Sequence, residues 1–168
     1  INGTAAYGID QRFPNMLFGA LAQCPVLGGR VQAFTDERAR AMPGVRQIVQ
    51  TRSGVVVPAD SWWRARQARD ALDIEWDLGP AANVSSATIA AGLANALATR
   101  SGEAKSARSD GDANAALAAA ARKIEAVYEL QLLPHATLEP QNCTVVPEGA
   151  TLHVYAPTQV QQSAQAAA

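Results

Sequence analysis

The sequence predicts an α+β fold in which helices cover a mixed β-sheet. Between residues 30 and 78, segments typical of strands alternate twice with segments whose small apolar residues recur on one helical face. This strand–helix–strand order favours layers of sheet and helix around one core. The length of 168 residues is enough for one ordinary domain, or for a small domain plus part of another.

The first strand–helix–strand unit follows a buried strand. Thr35 or Asp36 can cap a short helix that runs from Asp36 to Ala41, and Pro43-Gly44 stops it. The strands of this part are predicted at residues 16–22, 30–34 and 45–50.

The second unit contains the longest helix of this half. Asp60 or Ser61 caps it, and it reaches about Leu72. Its apolar face is made of small residues, which let a helix approach a sheet closely: Ala65, Ala68 and Leu72. The flanking strands are predicted at residues 55–57 and 73–77, the second with Ile74 and Trp76 facing inward.

Residues 79–122 are predicted to connect two domains. A helix capped by Ser85 or Ser86 runs to about Ala98, with Ile89, Leu93 and Leu97 on one stripe. Residues 99–112 are polar and lack large apolar side chains, so we expect a mobile connector there. A short Ala-rich helix follows at residues 113–121.

The last third changes character. We expect a strand at residues 123–132 and a hairpin of residues 142–146 and 151–155 around Pro147–Ala150. The Gln- and Ala-rich residues 159–168 are expected to begin a helix. Because this helix would stop without a cap or a breaker, we interpret the chain as truncated.

Charge and composition exclude some partners. The formal net charge is -1 and the basic residues are spread out, which argues against nucleic acid as the main partner. The densest group, Arg64, Arg66 and Arg69, is flanked by Asp60 and Asp70 and fits a solvated helix face. The sequence has no run of about 18 apolar residues, so no membrane span is predicted.

Most chemical motifs are missing from the sequence. Gly28-Gly29 fits a turn before a strand and no phosphate loop. The two cysteines, Cys24 and Cys143, form neither a disulfide framework nor a zinc spacing with the two histidines, so no metal site is predicted. A nucleophile, base and acid could be assembled from Cys143, His135 and Glu139, but nothing in the spacing positions them, and we predict no catalytic residue.

The most informative segment is Leu133–Thr144, which reads LPHATLEPQNCT. Its residues alone favour a turn at a strand edge, in which His135 and Glu139 hydrogen-bond locally. The segment nevertheless resembles the His-Ala-x-x-Glu-Pro-x-Asn signature of the xanthine dehydrogenase and aldehyde oxidase family, within the branch that contains the isoquinoline 1-oxidoreductase beta subunit. Further matches follow the family's order along nearly the whole chain: Asp10, Pro14–Leu17, Cys24–Val26, Gly28–Val31, Pro43–Val45, Ala59–Trp63, Ala71–Asp77 and Ala156–Gln159.

The resemblance implies a fold and a domain order. It implies an a/b hammerhead domain at residues 1–78, a helical connector at 79–122 and the first strands of a molybdopterin-binding domain at 123–168. Family members hydroxylate aldehydes or N-heterocycles with oxygen from water, and molybdopterin supplies the chemistry. We therefore expect a fragment of a molybdenum-dependent oxidoreductase, inactive in isolation.

The family's Gly-Gly-x-Phe-Gly segment and its catalytic Glu, which the resemblance places downstream of Gln159, are absent. No cofactor is therefore expected on this chain, although His135, Glu139 and Gln159 are the signature residues near the cofactor domain. Leu133 stands where xanthine-oxidising members have Gln, which favours an isoquinoline-type or aldehyde-type parent.

The resemblance also implies partners. They are the remainder of the large subunit and a small 2Fe-2S subunit. Related large subunits occur both in the cytoplasm and in the periplasm, so the resemblance does not assign a compartment to the parent. As a fragment, the chain is expected to form a homo-oligomer. The alternative is a non-catalytic interaction or assembly module with the hammerhead fold.

Overall fold

The structure, a computed structural model, describes residues 2–99, 108 and 110–168. Its fold is α+β, as predicted. The strands are β1 (Phe18–Gln23), β2 (Arg30–Thr35), β3 (Val49–Gln50), β4 (Gly54–Ala59), β5 (Asp73–Asp77), β6 (Thr144–Glu148) and β7 (Thr151–Tyr155). The α-helices are α1 (Glu37–Arg40), α2 (Trp62–Asp70), α3 (Ser86–Thr99), α4 (Ala113–Ala119) and α5 (Gln161–Ala167), and short 3-10 turns occupy Gly8–Asp10 and Gly79–Ala81.

The strands form three separate antiparallel sheets. One has the order β1-β4-β3, and the other two are the pairs β2-β5 and β6-β7. Every pairing in the described part of the chain is antiparallel, so the expected mixed sheet was wrong. The strands on either side of each helix pair with other strands instead of with each other, and sequence periodicity does not specify such non-local pairing.

The core lies where α2 packs on β1 and β4. Ala65 and Ala68 are completely buried, as their spacing predicted. Ala65 meets Ala20 of β1 and Ala59 of β4. Small side chains at all three positions let the helix lie close to the sheet.

A second cluster joins α1 to the same layer. Ala39, Val57 and Ala68 form its fully buried centre, and Leu72 packs against them partly exposed. The oxygen of Ser61 accepts the Arg64 N–H at 3.4 Å, so Ser61 caps α2. Asp36 stands before α1 without capping it, because its carboxylate pairs with Arg40 instead.

The turn at Gly44 fixes the edge of the three-stranded sheet. The Asp60 N–H donates to the Gly44 carbonyl at 3.0 Å, and Val45 forms an isolated bridge with Ala59. Where a strand was predicted at residues 45–50, the strand structure is limited to the Val45 bridge, a hydrogen bond from the Arg46 N–H to the Pro58 carbonyl and the two residues of β3. Gly44 has a φ of +82°, and a Cβ there would lie 2.5 Å from the Asp60 carboxylate.

The β2-β5 pair is less buried than its alternation predicted. Trp76 lies opposite Val31 and is half-buried, as is Ile74. The Arg30 guanidinium and the Asp77 carboxylate form an ion pair at 2.8 Å across the end of this sheet. The register shifts between Val31 and Ala33.

Two compact units are present, Ile1–Pro80 with His135–Ala168 and Ala81–Pro134. In the second, Ser85 caps α3 by accepting the Thr88 N–H at 3.2 Å. Residues 123–132 form no strand, so that prediction was wrong. They have no partner strand among the described residues, and their apolar side chains are exposed, for example Tyr128 at 88%. The predicted mobile connector at 99–112 lies mostly outside the described residues.

In the first unit, the C-terminal hairpin matches its prediction closely. β6 extends beyond the expected end and includes Pro147, which lies opposite Leu152. Glu148 pairs with Thr151, so the turn is Gly149-Ala150. α5 then begins at Gln161, near the expected residue 159. Among the described helices, none is long and apolar enough to cross a membrane.

Candidate functional site

An open depression of about 640 Å³ lies at the base of the β6-β7 hairpin. The residues that line it are His135–Glu139, Gln141 and Pro157–Gln159. It includes all three signature residues, His135, Glu139 and Gln159. Residues 135–142, which we call the signature loop, lead into β6, and residues 157–159 follow β7. Because an antiparallel hairpin returns the chain to the end where it began, the two segments become neighbours.

The Glu139 carboxylate is held by a residue that does not line the depression. Its Oε1 accepts the Gly8 N–H at 3.4 Å, across 131 positions of sequence. Glu139 is half-buried, whereas His135 and Gln159 are exposed. The Thr137 hydroxyl donates to the Glu139 carbonyl at 2.9 Å and holds the loop locally, whereas the Glu139 carboxylate accepts from the distant Gly8 N–H.

Asn142 closes the signature loop. Its Nδ2 donates to the Pro140 carbonyl at 2.7 Å. Its Oδ1 is buried and has no hydrogen-bond partner in the described structure. A Cβ on Gly8 would lie 2.6 Å from that oxygen, so the side chain of Asn142 packs directly against the Gly8 backbone.

The backbone of the loop is strained at one residue. Ala136 has a φ of +48°, in the left-handed region that an L-residue with a Cβ seldom occupies. Such a conformation costs on the order of 1–2 kcal/mol and persists only where the surrounding contacts impose it. Ala136 lies beside His135 and lines the depression. The strain is therefore located within the candidate site.

The depression offers hydrogen-bonding groups and no metal-ligand set. Within the described ranges, no group of three His, Cys, Asp or Glu side chains could hold a metal ion. Cys143 is exposed, and Cys24 lines another depression beside Gly28-Gly29. The second histidine, His153, pairs across the hairpin with Glu148 at 2.9 Å.

Sequence reasoning found the loop and missed its contacts. Gly8 and Asn142 are the residues that it did not single out for a role. Nothing in the spacing of the twelve glycines marks Gly8 as a contact of the loop. The family signature included the Asn, but a buried, unpaired amide oxygen is visible only in three dimensions.

Comparison with known proteins identifies the C-terminal part. Residues 97–168 match the family model of the molybdopterin cofactor-binding domain, which starts ahead of the boundary predicted at residue 123. The chain is 32% identical over 80 residues, 48% of its length, to the isoquinoline 1-oxidoreductase subunit beta of Brevundimonas diminuta. It is 30% identical over 170 aligned positions, 95% of its length, to the membrane-bound aldehyde dehydrogenase [pyrroloquinoline-quinone] of Gluconacetobacter polyoxogenes.

The chain spans 10% of the first relative and 22% of the second. Among solved structures, the Cu,Mo-CO dehydrogenase aligns with 45% of this chain and 13% of its own chain, at 18% identity and a TM-score of 0.39. The three sequence matches agree with the family resemblance of the signature loop. The structural match is too weak to add to it. The chain is thus similar in sequence to members of the molybdopterin-binding xanthine oxidase family, which are oxidoreductases and whose cofactor is molybdopterin.

Proposed function

We propose that the chain is part of the molybdopterin-binding subunit of a molybdenum hydroxylase that oxidises N-heterocycles or aldehydes with water as the oxygen source. The observation that carries this proposal is the position of the signature residues. His135, Glu139 and Gln159 line one depression, inside the segment that matches the cofactor-binding family model. The names of the two relatives support the two substrate classes.

The described residues do not fit the whole cofactor. Molybdopterin needs partners for its many polar atoms, and His135, Gln141 and Gln159 could supply hydrogen bonds to one edge. The depression is open, however, and buried cofactor sites enclose most of the ligand surface. No metal-ligand cluster accompanies it in the part of the chain that the structure describes.

The domain order remains part of the proposal. A hammerhead domain at residues 1–78 would carry β1–β5, and a connector at 79–122 would lead to the cofactor-domain strands. Residues 135–168, which include the proposed cofactor-domain strands, form one compact unit with the first 80 residues. The proposed partners are the remainder of the large subunit and a small 2Fe-2S subunit.

Two measurements test the proposal. Purified with the remainder of the subunit and the 2Fe-2S subunit, the protein should oxidise isoquinoline or an aldehyde and incorporate ¹⁸O from labelled water into the product. Labelled O₂ gives no labelled product under the same conditions. Oxygen derived from O₂, or the absence of turnover with both substrate classes, contradicts the proposed reaction.

The 168-residue chain alone should be inactive and hold no stoichiometric molybdenum after expression in a host that makes the cofactor. Its depression is open, whereas buried cofactor sites enclose most of the ligand surface. Metal analysis with a fluorescence assay for the pterin measures this. One molybdenum per chain contradicts the proposed inactivity.

Alone, the chain should also form a homo-oligomer through residues 123–168, where exposed apolar side chains are frequent. Light scattering measures the mass, and a monomer contradicts this expectation.

A further inference from the structure

We propose that the N-terminal segment Tyr7–Phe13 holds the signature loop in its conformation, and that Gly8 is the positioning residue. We call this segment the N-terminal brace. Its role in a cofactor site rests on the proposed function, whereas its contact with the loop does not. The brace lies more than 120 residues before the loop in sequence.

The brace contacts the loop at two places and the end of β7 at a third. The Gly8 N–H donates to Glu139 at 3.4 Å, and the Gly8 Cα packs against the amide of Asn142. Beyond the loop, the Phe13 ring meets the Tyr155 ring at the end of β7, with centroids 5.6 Å apart and planes inclined at 40°. Tilted aromatic pairs at this distance attract each other beyond their buried area. The three contacts hold both sides of the hairpin base.

Gly8 is suited to its position because it has no side chain. A Cβ there would lie 2.6 Å from the Asn142 Oδ1 and 3.5 Å from the Tyr155 carbonyl oxygen. Any other residue would therefore turn the Asn142 amide or shift the loop and the brace apart. Turning that amide breaks the bond from its Nδ2 to Pro140, which closes the loop.

The brace is ordered by its own hydrogen bonds. The Tyr7 N–H donates to the Asp10 carboxylate at 3.0 Å, and the Asp10 N–H donates to the Tyr7 carbonyl at 3.1 Å. The Arg12 guanidinium donates to the Ile9 carbonyl at 2.8 Å. A segment that is already folded presents the Gly8 N–H to Glu139 without a further ordering cost.

The signature loop needs such an external contact. None of its residues lies in a helix or a strand, and Ala136 occupies a strained left-handed conformation. Its local hydrogen bonds, from Thr137 and Asn142, connect only residues two positions apart. The brace supplies contacts of long sequence separation, which is what a strained loop requires to stay in one conformation.

The test measures backbone order by ¹⁵N relaxation on the 168-residue chain. In the unmodified chain, residues 136–139 should be rigid, with order parameters of about 0.85. In Gly8→Ala they should fall below about 0.6. The matched control is Gly92→Ala in α3, where a Cβ meets nothing within 4 Å, and it should leave the loop unchanged.

Two further variants separate contact from general destabilisation. Glu139→Ala should loosen the loop and the amide of Gly8 together, whereas Glu139→Gln keeps an acceptor oxygen and should restore both. In an Asn142→Ala background, Gly8→Ala should lower the order of residues 136–139 by clearly less than in the unmodified chain, because the colliding oxygen is gone.

The outcomes decide between the brace and the proposed function. A loop that is already flexible in the unmodified chain overturns the brace, and so does equal loss of order from Gly8→Ala in both backgrounds. Either result stands whatever the cofactor measurements give. If Gly8→Ala loosens the loop as expected but the ¹⁸O experiment fails, the brace is supported and the proposed function falls.

Discussion

Replacement of Gly44 by Ala should destabilise the chain more than replacement of Gly28 by Ala. The two glycines have the same φ, +82°, so both substitutions force an L-residue into the left-handed region. That strain costs about 1–2 kcal/mol at either position. Both substitutions also lower the conformational entropy of the unfolded chain by the same amount, so this contribution to the free energy of unfolding is equal in the two variants. The difference between the variants therefore reports only on what the new methyl group touches.

The surroundings of the two glycines differ. A Cβ at Gly28 meets nothing within 4 Å, whereas at Gly44 it would lie 2.5–2.7 Å from three atoms of the Asp60 carboxyl group. Relief requires this carboxylate to rotate away from Arg64, its partner at 2.6 Å. An exposed i,i+4 pair contributes about 0.3–0.5 kcal/mol. If the backbone shifts as well, the hydrogen bond from the Asp60 N–H to the Gly44 carbonyl adds about 1 kcal/mol. The expected excess is about 0.3–1.5 kcal/mol.

Urea unfolding followed by tryptophan fluorescence measures both free energies of unfolding. With a slope of about 1–3 kcal/mol/M, an excess of about 1 kcal/mol shifts the midpoint by about 0.3–1 M. The Asp60→Ala background provides the control, because there Gly44→Ala should cost only the strain seen at Gly28. Equal costs for Gly28→Ala and Gly44→Ala in the unmodified chain would refute the argument from contact.

Trp76→Ala should cost about 2–3 kcal/mol, which is below the usual range for a fully buried Trp because Trp76 is half-buried. Trp62→Ala should cost less than about 1 kcal/mol because Trp62 is 51% exposed. Equal melting-temperature losses would contradict this order. Asp77 should stabilise the fold at neutral pH: the Gly79 N–H, followed by the hydrogen bond and charge of Arg30, lowers its pKa below the ordinary value of 3.8. A lowered carboxyl pKa adds stability that is fully present above the unfolded-state pKa and is lost as the pH falls through the folded-state pKa. The advantage over Asp77→Asn should thus shrink below about pH 3.8 in urea unfolding, and an advantage that grows on acidification would reverse the sign.

Local patterns predicted the parts of the fold that depend on neighbours in sequence. The small-residue face of α2, its cap at Ser61 and the β6-β7 hairpin follow from spacing within about ten residues. Residues 123–132 show the limit of such patterns. They alternate as a strand does, but a strand exists only when another strand pairs with it, and the described residues provide none.

The sheet topology could not be predicted for a related reason. β2, α1 and β3 follow one another in the chain, but β2 pairs with β5 and β3 pairs with β4. The choice depends on which apolar faces can be buried together, here Ala20, Ala59 and Ala65. Periodicity assigns a residue to a face and does not say which element will cover that face.

The candidate site combines both kinds of information. The hairpin is local, and because its strands are antiparallel it brings Gln159 to the same end as His135 and Glu139. The signature loop and the matching segment Ala156–Gln159 therefore form one surface, because the hairpin between them turns within two residues, Gly149-Ala150. The conformation of that surface depends on the contact between Gly8 and Glu139, which spans 131 positions. Motif spacing can thus locate the depression, but the residue that holds its wall in place is identified only by the packing of the folded chain.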